Sequence, residues 1–375
     1  MKRIFFFLFI ILAGRSGYAQ SIIPYKMIGG KMIIEMKING LSVPMIFDTG
    51  GKNSISSELK EALHLKVSSS REIMDANSNK SKYDFVLADS LETTDGKIAF
   101  KNVPILVLDN EIFTCFGGAK GLIGNDLFPG KTIEIDDKNK VIILTNGGKL
   151  ASINRQMVPF MEDANGEPII PLNIGKYHAI KVLFDTGAPD FLSLKYGDYK
   201  ALLAENVISV LRTGESMGAM GASGRGKSGK RILTEMPEVL IGKKQFLNVR
   251  THPGTVPVTL LGSTVIQYGK ITIDFVNKLF LFVPYDNAVV DEKKGLWDLE
   301  MMVEGNDMVV SAIWDNLKGQ VALNDKITHI NGQEIKPMGF CESIVTGLTV
   351  LKGKTQAVLT VQTQNGTKKI TIKKS

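Results

Sequence analysis

Cysteine occurs only twice in the 375 residues, as Cys115 and Cys341, and histidine only four times. So little cysteine excludes a disulfide-rich scaffold and a thiolate metal centre. The two cysteines stand far apart, in what read as separate domains, and are expected to be buried free thiols. His64, His178, His252 and His329 are isolated and match no metal-ligand spacing. No metal or other cofactor is therefore expected. Long apolar runs are also missing: the run from Ile4 to Ala13 is too short for a comfortable bilayer span, and no later stretch is longer. Neither sign of charge is in large excess. The formal net charge of +7 falls to +4 once Lys2, Arg3 and Arg15 are set aside, and the lysines are scattered. That pattern is a solvated surface and not a nucleic-acid footprint.

What is present begins with an export signal. Met1-Lys2-Arg3 is basic, the apolar run comes next, and Gly17-Tyr18-Ala19 offers small residues at a cleavage site. Residues 1–19 are read as a signal peptide, with the mature protein periplasmic or extracellular. From residue 31 apolar and polar positions alternate as in a half-buried strand. Asn39-Gly40 is a two-residue hairpin signal, and residues 41–47 return to end on Asp48. Residues 57–65 read as a short helix with Ser57 as its cap.

The chain then repeats itself. Ile46-Phe47-Asp48-Thr49-Gly50 recurs as Leu183-Phe184-Asp185-Thr186-Gly187. Residues 121–144 align without a gap on residues 259–282, so Leu122-Ile123-Gly124 answers to Leu260-Leu261-Gly262. Gly124 follows Asp48 by 76 residues and Gly262 follows Asp185 by 77. A duplication of this length covers a whole structural unit.

An Asp at the end of an apolar strand is poorly solvated and costly to leave unpartnered. Two of them in one chain point to a pair brought together across an interface. Such a pair shares one proton. The ionised member then activates a water while the protonated member donates to a developing oxyanion. Thr49 and Thr186 supply hydroxyls to bond across the interface. Gly50 and Gly187 let the backbone turn and present N–H groups to the carboxylates.

In these residues the chain resembles an aspartic protease of the pepsin and retropepsin clan, over about residues 25–285. The resemblance implies catalytic Asp48 and Asp185, with Thr49, Gly50, Thr186 and Gly187 supporting their loops. It also implies that each apolar-apolar-Gly element threads beside its own catalytic loop. Gly51 and Ala188 depart from pepsin, which carries a hydroxyl residue there; Ala188 is retropepsin-like. Tyr83 is the nearest candidate for a flap tyrosine.

Residues 221–228 fit the phosphate-loop pattern letter for letter. They lack the preceding apolar strand and the succeeding helix that phosphate binding requires, and are read as a flap or surface loop. Residues 321–335 resemble a stretch common in bacterial PDZ domains. Asn324 replaces the usual glycine, and Gly295-Leu296-Trp297 falls at the expected carboxylate-binding loop, a site for a C-terminal peptide.

The expected fold is mainly β. Two homologous aspartic-protease β-barrel lobes, residues 20–150 and 151–287, precede a small PDZ-like α/β domain, residues 288–375. The expected function is peptide-bond hydrolysis by a monomeric, exported aspartic endopeptidase acting on a peptide or protein. The alternative is a catalytically inactive, peptide-binding scaffold of the same fold.

Overall fold

A computed structural model describes residues 19–74, 80–110, 112–148, 156–218, 220–221 and 224–375. The first eighteen residues, and so the body of the expected signal peptide, lie outside the described residues. The fold is mainly β, with two large sheets and a two-stranded ribbon. Among the described residues no helix is long and apolar enough to cross a membrane.

The first half is built from the alternation seen in the sequence. Strand Lys31–Ile38 turns at Asn39 and Gly40 into strand Leu41–Asp48. Both turn residues have positive φ, +48° and +84°, which Asn and Gly adopt at least cost and which matches the twist of a tight hairpin. Strand Leu41–Asp48 pairs in parallel with strand Gly121–Gly124, placing Asp48 opposite Gly124. The second half repeats this. Strand Pro168–Ile174 pairs with strand His178–Asp185, which lies parallel to strand Thr259–Gly262 with Asp185 opposite Gly262.

The aligned repeats also meet each other. Strand Lys131–Asp136 of the first half pairs with strand Gly269–Asp274 of the second. Strands Val141–Asn146 and Leu279–Pro284 flank them. Each repeat ends its hairpin the same way, with Asp136 accepting from Asn139 and Asp274 accepting from Asn277. One hydrophobic core runs through both halves, including Met45, Phe47, Ile123, Val182, Phe184 and Leu261.

Among the described residues the α-helices are short: α1 (Ser57–Ala62), α2 (Ile112–Cys115), α3 (Tyr196–Ala204) and α4 (Phe340–Val345). The cap of helix α1 lies one residue earlier than the sequence reading placed it. Ser56 accepts from Leu59 N–H as the cap, while Ser57 is held by Asp109.

Residues beyond 296 form a second core of their own, around Leu299, Val310, Ile327, Leu359 and Ile372. Asn324 has φ +70°, the left-handed conformation that a glycine or asparagine accepts. This C-terminal unit joins the second half by strand pairing: strand Ser209–Ser216 lies against strand Asp307–Trp314. Gly214 is required at that seam, since a Cβ there would stand 2.1 Å from the Ile313 carbonyl oxygen.

The C-terminal unit is also tied to the first half. Cys115 and Cys341 form a disulfide, with Cα atoms 4.7 Å apart. The expectation of two buried free thiols is corrected here: Cys341 is exposed and Cys115 half-buried. Separation in sequence hid the fact that the fold lays α4 on α2.

Candidate active site

The two strands that end on Asp48 and Asp185 bring both carboxyls together at the junction of the halves. Each carboxyl packs against the glycine of the other half's loop. A Cβ on Gly187 would stand 2.3 Å from Asp48 Oδ2, and a Cβ on Gly50 would stand 2.5 Å from Asp185 Cγ. The glycines are therefore needed for approach: any side chain would push the carboxyls apart. Gly51 has the same explanation, because a Cβ there would meet Asp48 Oδ2 at 2.9 Å.

The threonines hold the two loops in register. Thr49 Oγ1 donates to the Phe184 carbonyl at 2.7 Å and accepts from Thr186 N–H at 3.0 Å. Thr186 Oγ1 donates to the Phe47 carbonyl at 2.9 Å and accepts from Thr49 N–H at 3.0 Å. Both threonines are fully buried, so these four bonds satisfy backbone groups that water cannot reach.

The carboxyls are not equivalent. Asp185 Oδ1 accepts from Gly187 N–H at 2.7 Å and Ala188 N–H at 3.2 Å, whereas Asp48 Oδ1 accepts from Gly50 N–H at 3.0 Å. Burial, then the charge of Asp48 and a hydrogen bond with it, hold the Asp185 carboxyl well above the usual carboxylate range. Lys31 and the Gly187 amide pull the other way without reversing it. A carboxyl so placed resists ionisation, and the pair holds one proton between its members.

The second elements brace the loops from behind. Gly124 N–H donates to Asn53 Oδ1 and Asn125 N–H to the Gly51 carbonyl. Gly262 N–H donates to the Phe191 carbonyl and Ser263 N–H to the Ala188 carbonyl. A Cβ on Gly262 would stand 2.0 Å from the Asp190 oxygen, and one on Gly124 would stand 2.4 Å from the Gly51 oxygen, so both glycines are places where chain crosses chain.

Beside Asp185 lies a cavity of about 990 Å³. Its apolar wall includes Ile169, Leu183 and Leu260; Gly50, Tyr177 and Glu167 also face it. Burial and the neighbouring Asp163 carboxylate push the Glu167 carboxyl up to about 8.

Two residues near the dyad were not singled out in the sequence. Lys31, the first residue of its strand, donates from Nζ to the Gly187 carbonyl and lies 5.9 Å from the Phe116 ring centroid. Glu167 is in the corresponding turn of the second half, where Lys52 Nζ donates to the Asn165 carbonyl at 2.8 Å. Their place next to the strand that pairs with each Asp strand was the available signal.

Other expected sites fall elsewhere. Tyr83 is half-buried on strand Lys80–Thr93, opposite Arg71. Of the phosphate-loop match, residues 222–223 lie outside the described residues. Gly224–Arg225 pairs with Met220–Gly221, and the next element is strand Gly229–Ile241, not a helix. Gly295-Leu296-Trp297 runs beside the chain's own end. Leu296 and Ser375 exchange backbone bonds of 2.9 and 3.1 Å, and Trp297 bridges Lys374. A peptide carboxylate binding there would have to displace those residues. Among the described residues, no group of three or more metal-ligating side chains gathers.

Residues 34–127, which include the first Asp-Thr-Gly, match a family model described as aspartyl protease. That stretch is aspartyl-protease-like. A comparison with curated proteins finds no match. Among solved structures, the chain is similar to the crystal structure of EDGP, at 10% identity over 71% of this chain and 94% of that one, with a TM-score of 0.42. It is also similar to basic 7S globulin from soybean, at 11% identity over 72% and 97%, with a TM-score of 0.40.

Proposed function

We propose that this protein is an exported aspartic endopeptidase with Asp48 and Asp185 as its catalytic pair. Residues 20–150 and 151–287 are its two lobes, and residues 288–375 are a PDZ-like domain that tethers substrate or regulates access. The observation that carries this reading is the reciprocal packing of each carboxyl on the other half's glycine. The ionised carboxyl of the pair takes a proton from a water lying between the two as that water attacks the peptide carbonyl. The protonated carboxyl gives its proton to the developing oxyanion. The buried threonine bonds fix both carboxyls, so little reorganisation is needed at the moment of reaction.

The test is turnover of an unbiased peptide library by the mature protein between pH 3 and 8. Cleavage that a statine-type transition-state mimic blocks, and that Asp48→Asn and Asp185→Asn each abolish, is the expected result. Cleavage surviving in either variant defeats the assignment. Peptide capture with no cleavage product at any pH favours the non-catalytic scaffold.

A further inference from the structure

The duplication makes each half a measure of the other, and the two sides of the dyad are not alike. In strand His178–Asp185, Val182 and Phe184 enter the shared core while Leu183 points to the opposite face. Leu260, opposite Leu183 in the parallel pair, and Ile169, opposite it in the antiparallel pair, share that face. All three line the cavity beside Asp185.

Their counterparts are fixed by the same pairings. In strand Leu41–Asp48, Met45 and Phe47 enter the core and Ile46 takes the other face. Leu122 and Ile33 lie opposite Ile46. These three form a separate small cluster with Phe116 and Ala119, and Ile344 and Val345 of α4 pack against it. Ile33 and Leu122 are buried, whereas Ile169 and Leu260 are half-buried.

The cover has two parts: Ile112, Phe113 and Phe116 of the α2 segment, and Ile344 and Val345 of α4 from the far end of the chain. Phe116 follows α2, and α4 is bonded to α2 through Cys115 and Cys341. Gly29, at φ +55°, has Phe116 Cε1 and Val345 Cγ2 at 2.7 and 3.3 Å from its Cβ position. There is no room there for a larger residue.

We infer that α4 is a plug: held by the Cys115–Cys341 bond, it fills the half of the substrate cleft that belongs to the first Asp-Thr-Gly. This rests on the aspartic-peptidase reading of the dyad. With the plug in place, substrate has an apolar wall only on the Ile169–Leu183–Leu260 side. An extended chain crosses the dyad on both sides only after α4 leaves. Specificity of the bonded form is therefore for short segments or chain ends, and Ile344 and Val345 are the residues that set it.

The test compares the mature protein with a Cys115→Ser/Cys341→Ser variant and, separately, with Val345→Asp, which leaves the disulfide intact. Two readouts are taken on each: amide hydrogen exchange at residues 121–124 and 340–345, and turnover of short and long peptides. Expected in both variants is at least tenfold faster exchange in the two segments, with long-peptide turnover rising at least tenfold relative to short. Faster exchange with no turnover of any peptide, in the parent or the variants, supports the plug and sinks the peptidase reading. Exchange unchanged in both variants overturns the plug, whatever the turnover. So does faster exchange in an active enzyme whose preference for peptide length does not move.

Discussion

At the scale of single residues the site depends on what is small or short. Gly50 and Gly187 admit the carboxyls, and Thr49 and Thr186 span the junction with one hydroxyl each. Thr186→Val keeps the shape but strands Thr49 N–H and the Phe47 carbonyl without partners. It should cost about 2–6 kcal/mol, since each buried unsatisfied group costs roughly 1–3 kcal/mol; urea denaturation measures it. Asp185 carries a stability cost with a definite sign. Its folded pKa is raised, so its contribution favours folding at acid pH and is lost as pH climbs from about 3.9, the unfolded value, through the folded one. Asp185→Asn should therefore abolish turnover while raising Tm at pH 7, and leave Tm nearly unchanged at pH 3. Calorimetry at the two pH values checks it. Lys31 lowers the same carboxyl. Lys31→Met should move the alkaline limb of the pH–activity profile to higher pH, as the proton on Asp185 is held longer. A limb that stays in place means that Asp185 does not set it.

At the scale of elements, the junction with the C-terminal unit is a strand pairing, and its weak point is Gly214. A β-branched side chain there would run into the Ile313 carbonyl. Gly214→Val should unzip strand Ser209–Ser216 from strand Asp307–Trp314. The amides that pair them should then exchange faster, while the pairing of Ser209–Ser216 with Gly229–Ile241 keeps its protection. The same strand explains a limit of sequence reading. Residues 209–216 carry no buried side chain, so period-two alternation is weak there, and the fold holds the strand by backbone pairing on both sides. Strands with a clean apolar face, such as Lys31–Ile38, were legible because one face enters the core. The cap of helix α1 was legible to within one residue, because it depends on which serine oxygen reaches Leu59 N–H.

At the scale of the molecule, the paired repeat strands, the seam at Gly214 and the disulfide each join parts distant in sequence. The disulfide closes a sequence separation of 226 residues. Cys115→Ser/Cys341→Ser should lower stability by about 2–5 kcal/mol, the usual range for removing a native bridge. The transition of the C-terminal unit should fall in temperature before that of the shared core does; calorimetric scans of parent and variant decide it. A single transition that moves as one would mean the bridge supports the whole molecule.

The sequence by itself determined the strands with a clean apolar face, the Asn-Gly turn and the duplication, because alternation, an Asn-Gly dipeptide and a repeated Asp-Thr-Gly phrase are local. It also carried the pairing of Asp48 with Asp185, since two copies of one unit bring like residues to one junction. The tertiary structure alone decided that the Asp185 carboxyl is buried against Asp48, that Lys31 stands beside it, and that Cys341 reaches Cys115. It alone decided that α4 covers the wall answering to Leu183 and Leu260. Those depend on burial and on contacts between segments far apart in the chain, and no local pattern records what a face will meet.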